Sequence, residues 1–127
     1  MSEIKKLFAV VVDPDRENRE VVKAILDGNG IETHIFTAWV SAENFLVTNS
    51  ESPDLLILEE QLQGVNGSDI WLEFKKENPN TKCIIMGDER KFRESMFSRC
   101  GIAGFLPKPL EIDEMLYQVV TAFNPSE

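Results

Sequence analysis

Four short segments concentrate the residues able to do chemistry: Asp13-Pro14-Asp15, Glu59-Glu60, Gly87-Asp88-Glu89 and Pro107-Lys108-Pro109. Each follows an apolar run. Carboxylates gathered at one place repel one another, so such a cluster needs a cation. Lys108 or a divalent metal could supply it. The plainer alternative is that acids after strands cap the next helix. Pro107 and Pro109 stiffen the loop that presents Lys108. The only histidine, His34, lies in an alternating segment that reads as the edge of a sheet, hence a surface residue. Cys83 and Cys100 lack CxxC spacing and read as reduced, small core hydrophobes.

The elements that position these segments follow from the apolar pattern. The run LFAVVV at 7–12 reads as a strand buried on both faces. A helix opens at Asp15 or Arg16 with Val21, Val22, Ile25 and Leu26 as its stripe, and Gly28-Asn29-Gly30 stops it. Residues 31–36 alternate as a second strand, and Ser41 caps a short helix to about Asn49, with Trp39 in the loop before it. The run at 55–58 is a third strand. Gly64 and Gly67 punctuate the loop after it. Ile70, Trp71 and Phe74 stripe a third helix, which stops at Asn78-Pro79. Residues 83–86 are a fourth strand. Phe92, Met96 and Cys100 recur at helical spacing in a fourth helix. Residues 104–106 are a fifth strand, and Ile112, Met115, Leu116, Val119, Val120 and Phe123 line a last helix.

The pattern is (βα)5, an α/β fold with a doubly wound, parallel five-stranded sheet in a three-layer sandwich. Ligands on such sheets bind beyond the carboxyl ends of the strands, where the four segments fall. The 127 residues make one domain, 1–127, with 124–127 as a tail or the start of a linker. No apolar run approaches the roughly 20 residues of a membrane span, and no signal peptide opens the chain, so a cytoplasmic location is expected. The net charge of −9 repels phosphate backbones and argues against nucleic acid as a partner.

Beyond this point the residues resemble a known family. VVVDPDRENRE at 10–20, PDLLILEEQLQGVNG at 53–67, CIIMG at 83–87 and GIAGFLPKPL at 101–110 are similar to the receiver (CheY-like) domain of bacterial two-component response regulators. The likeness covers residues 5–123. It implies a flavodoxin-like sheet of order 2-1-3-4-5. It also implies a switch in which a histidine kinase phosphorylates an aspartate after the third strand. Two acids hold Mg²⁺, a hydroxyl and an aromatic respond, and a lysine contacts the phosphoryl group.

Carried onto this chain, the phospho-acceptor position is Glu59, the first acid is Asp13, and the second acid position is Pro14, with Asp15 one residue further on. The hydroxyl switch position is Gly87, the aromatic switch position is Phe105, and the lysine is Lys108, followed by a Pro109 that is cis in the family. The segment between Gly87 and Lys108 is about one residue short, so the fourth helix aligns poorly and the docking face stays open. Glu59 carries its carboxylate roughly 1.5 Å beyond an aspartate's, and a misplacement of about 1 Å can cost on the order of 100-fold in rate.

The resemblance with these departures implies a degenerate pseudo-receiver that is not phosphorylated in the usual way and is not an enzyme. It needs no cofactor, with Mg²⁺ at most weakly held by Asp13 and Glu59, and Glu59 paired with Lys108. The expected role is a phosphorylation-independent docking module. Its partner is a histidine kinase, a downstream signalling protein or a further domain of the same chain, and a homodimer stays open. The alternative is a permanently "on" phospho-mimic through Glu59. A small enzyme or flavin carrier on the same fold is remote: the acidic loop at 13–17 is the opposite of a phosphate-binding loop, and no histidine stands near a nucleophile.

Overall fold

The computed structural model describes residues 6–124; the expected tail at 125–127 lies outside them. Five parallel strands form the sheet: β1 (Phe8–Val12), β2 (Glu32–Phe36), β3 (Leu55–Glu59), β6 (Lys82–Gly87) and β7 (Gly104–Pro107). Their order is β2-β1-β3-β6-β7, the expected 2-1-3-4-5 once a short hairpin is set aside. That hairpin, β4 (Gln61–Leu62) and β5 (Val65–Asn66), stands where the sequence reads as plain loop. Gly64 turns it at a φ of 80°, a conformation open to glycine at little cost.

Strand residues alternate between two cores, as the twofold strand period dictates. Val10, Val12, Leu56, Leu58, Cys83, Ile85 and Phe105 face one side, under α2 (Trp39–Asn49), α3 (Gly67–Glu77) and α4 (Ser95–Cys100). Ala9, Val11, Leu55, Ile57, Ile84, Met86 and Leu106 face the other, under α1 (Arg16–Gly28) and α5 (Ile112–Phe123). Each fully buried Leu or Ile side chain contributes about 1.5–3 kcal/mol. This double burial holds the strand ends, and hence the site, in place.

Several element boundaries differ from the sequence reading. Helix α2 starts at Trp39, two residues before Ser41, and its cap residue Ala38 makes no side-chain hydrogen bond. Trp39 is therefore helical, and its ring meets Phe74 edge-on at 5.6 Å. The expected fourth helix is broken. Asp88 caps a single 3-10 turn, Glu89–Lys91. Phe92 is then extended (ψ 141°), its ring lying on Phe105 at 4.6 Å, and the helix spans only Ser95–Cys100. That ring contact outweighs the helical spacing of Phe92, Met96 and Cys100. In α5 the buried stripe is Met115, Val119 and Ala122, while Ile112 and Val120 face solvent; in α1 Val21 is exposed and Val22 and Leu26 are buried.

Of the remaining residues, Trp71 and Cys83 are buried as expected, whereas Cys100, expected in the core, and His34, expected at the surface, are each half-buried. Trp71 is buried and donates its indole N–H to the Cys100 carbonyl at 2.7 Å. Burial pushes the Cys83 thiol well above its ordinary range, with Cys100 and Glu60 adding to the effect. His34 lies on the edge strand, half-buried, bonded to Glu32 at 2.7 Å and tilted against Phe45 at 4.5 Å. Among the described residues no helix is long and apolar enough to cross a membrane.

Candidate functional site

Asp13 follows β1 directly, because Val12 is the last residue that pairs with β2 and β3. Its backbone N–H donates to Phe36 O at 3.0 Å. Its side chain is 1% exposed. Oδ1 accepts from the Asp15 N–H at 2.9 Å, and Oδ2 lies 2.8 Å from Lys108 Nζ. Oδ2 is thus a buried oxygen whose neighbour is that ammonium. Glu59 ends β3 and is 7% exposed. Its Oε2 accepts from the Gln61 N–H at 3.0 Å, and its Oε1 pairs with Lys108 Nζ. One ammonium thus serves two carboxylates from neighbouring strands.

Lys108 comes from the loop after β7. Its N–H donates to Gly87 O at 2.9 Å, and the Lys108–Pro109 peptide is cis. Burial pulls its pKa down, but its short contacts with the Asp13 and Glu59 carboxylates outweigh that and hold it above the ordinary lysine value.

Asp15, Glu60 and Asp88 are held by other partners. Asp15 caps α1, accepting from the N–H groups of Glu17 at 2.9 Å and Asn18 at 3.3 Å. Glu60 caps α3, accepting from Ser68 N–H at 2.7 Å and Ser68 Oγ–H at 2.8 Å. Asp88 is gripped by Arg90 (2.8 Å), whose hydrogen bonds lower the carboxyl pKa to about 2. Both readings of the acids therefore hold, one for each set: Asp13 and Glu59 meet the lysine, while Asp15 and Glu60 cap helices.

Two glycines lie against Glu59. A Cβ on Gly67 would lie 2.5 Å from the Glu59 carbonyl oxygen, so only glycine lets α3 start this close to β3. A Cβ on Gly87 would lie 3.3 Å from Glu59 Oε2 and 3.4 Å from Glu60 Cβ. The longer Glu59 side chain thus occupies the room beside an empty position 87. Phe105 is buried against Phe92. The resulting recess, about 600 Å³, also takes in Pro14, Asp15, Gln61, Asp88 and Arg90.

Gln61 and Arg90 were not legible as site residues. The sequence offers no signal for either beyond their nearness to Glu59 and Asp88. Among the described residues no group of three or more His, Cys, Asp or Glu side chains could hold a metal ion. A divalent cation here would meet two carboxylates that already share an ammonium. Mg²⁺ is commonly bound through one or two carboxylates, so it would compete with Lys108 for the Asp13 and Glu59 oxygens.

Comparison with known proteins identifies a family and a fold. A family model described as the response regulator receiver domain matches residues 9–120. The DNA-binding transcriptional regulator NtrC of Klebsiella pneumoniae is 27% identical over 118 residues, covering 92% of this chain and 25% of that protein. The protein-glutamate methylesterase/protein-glutamine glutaminase 2 of Paramagnetospirillum magneticum is 25% identical over 122 residues, 93% of this chain and 34% of that one. A response regulator receiver domain protein from Clostridium thermocellum has the same fold, with a TM-score of 0.80 at 21% identity over 93% of this chain and 94% of that one. The chain spans about a quarter of the length of NtrC.

Proposed function

The chain belongs to the response regulator receiver domain family, and on that premise we propose that it is a pseudo-receiver: not phosphorylated in the usual way, not an enzyme, and working as a phosphorylation-independent docking module. Receiver domains interact with histidine kinases and with other domains of response regulators. The partner proposed here is a protein of that kind or a further domain of the same chain, in the cytoplasm. Residues 1–127 are read as one domain, and nucleic acid and membrane are not its partners.

One observation carries the reading. The carboxylate of Glu59, which the family resemblance puts at the phospho-acceptor position, is already bound to Lys108 and Gln61. Phosphoryl transfer depends on positioning and on neutralised charge. An incoming phosphoryl group would have to displace Glu59 from the Lys108 ammonium, and Pro14 offers no carboxylate for Mg²⁺. Any Mg²⁺ binding at Asp13 and Glu59 is therefore weak.

The phospho-mimic reading has the Glu59–Lys108 contact in its favour, since the lysine touches a charge where a phosphoryl group would put one. It lacks a relay. Gly87 has no hydroxyl to follow that charge, and Phe105 lies inward against Phe92 with no phenolic oxygen. The docking reading is thus the stronger.

Incubation with acetyl phosphate and Mg²⁺ tests it. The intact mass of the chain is expected to stay unchanged. A stable adduct of one phosphoryl group mapped to Glu59, Asp13 or Asp15 would overturn the proposal.

A further inference from the structure

A second concavity, about 740 Å³ and larger than the Lys108 recess, lies between α2 and α3. Its size falls in the range of about 300–1,000 Å³ typical of binding clefts. The floor is apolar: Trp39, Leu46, Ile70 and Phe74, with the Trp39 and Phe74 rings joining the two helices. Val47, 73% exposed, and Val65 extend the apolar surface to the edge. Ser52 and Asn78, hydrogen-bonded to each other, close one end.

The rim is acidic. Glu43, Glu51, Asp69, Glu73 and Glu77 line it, and no lysine or arginine does. Glu73 pairs with exposed Lys76 at 3.1 Å. The other four form no ion pair among the described residues. Helix α2 ends beside the groove with no basic residue in its last turn, so its carbonyl end adds negative potential.

We propose that this groove docks a basic amphipathic helix of a partner protein, its apolar side chains on the floor and its lysines or arginines among the rim carboxylates. This is helix-in-groove recognition with charge complementarity setting orientation and on-rate. It rests on the docking-module reading and names the surface that reading requires. A second copy of the chain fits poorly, because a twofold contact sets the same acidic rim against itself. Nucleic acid is repelled by the same charge.

The test uses the intact chain and a synthetic Leu/Lys peptide with leucines at helical spacing. Calorimetry and Trp fluorescence are expected to report saturable one-to-one binding at about micromolar Kd, weakened by salt. Glu43→Lys with Glu77→Lys should weaken it by at least about tenfold. The charge-matched control, Glu17→Lys with Glu94→Lys, should leave it within about twofold, since those exposed positions lie off the groove.

Equal weakening by the control, or equal binding of a peptide whose leucines are replaced by serine, would reduce the effect to bare charge attraction and overturn the proposal. Absence of saturable binding would do the same. So would a dimer in sedimentation that Val47→Arg disperses, since the groove would then belong to a second copy. Any of these results with the mass unmoved by acetyl phosphate removes the groove alone. A phosphoryl adduct that switches peptide binding would remove the docking-module reading and leave the groove.

Discussion

Replacing Lys108 by methionine isolates the charge cluster at the strand ends. The ammonium is 23% exposed in its side chain, Asp13 1% and Glu59 9%. At the 2.8 Å separation from Asp13, an effective dielectric near 20 gives about 6 kcal/mol of gross attraction. Desolvation of the three groups takes back most of that. Removing the cation still leaves two like charges buried side by side, and breaking a buried pair in this way costs about 3–5 kcal/mol.

Glu59→Gln should cost about 1 kcal/mol, because an amide oxygen can still accept from Gln61 N–H and one source of repulsion against Asp13 disappears. With both changes only Asp13 stays charged. The double variant should therefore lose less than the sum of the single losses, a coupling of about 1–3 kcal/mol. Urea unfolding followed by fluorescence of buried Trp71 measures all four proteins, with a common slope confirming that the unfolded states are comparable. Coupling below about 0.5 kcal/mol at low salt would refute the reasoning. The pH dependence is a second arm. The folded pKa of Lys108 is raised, so its contribution is fully present below the unfolded value of about 10.4 and is lost as pH rises through the folded value above it.

Other outcomes are expected from the same geometry. Gly87→Ala should destabilise by about 1–2 kcal/mol through crowding of Glu59, and by less in a Glu59→Asp background; equal losses in thermal or urea unfolding would contradict the crowding. Asp15→Ala should cost about 1 kcal/mol as a lost helix cap, whereas a gain would place Asp15 in the repelling cluster instead. Titration with Mg²⁺, read by NMR shifts, should show no saturable change below about millimolar at residues 13–15 and 59, given only two shared carboxylates. Acidification should weaken the Asp88–Arg90 contact only as pH falls from the unfolded value of about 3.9 toward the folded value of about 2, because the Asp88 pKa is lowered. NMR titration of Asp88 reads this directly.

The sheet was legible because its central strands are continuous buried runs and its edge strand β2 alternates. The convergence of Asp13, Glu59 and Lys108 was legible too, since topology alone brings those strand ends to one edge. What each acid does there was not. Whether Asp15 and Glu60 face the recess or a helix end depends on a turn of the backbone just past the strand, and composition is blind to that. Helix starts failed where tertiary contacts replaced side-chain caps: Ala38 offers no cap, so Ser41 looked like one. The periodicity of Phe92, Met96 and Cys100 misled because an aromatic contact with Phe105 holds Phe92 in extended backbone.

The 3.3 Å between a Cβ at position 87 and Glu59 Oε2 also constrains ancestry. A lineage gaining a side chain at 87 meets a crowded intermediate if that step comes first, and an open one if Glu59 has already shortened to aspartate. Descendants of this chain carrying Ser or Thr at 87 together with Glu at 59 should be rare for that reason, and the pair of positions should change together across the lineage.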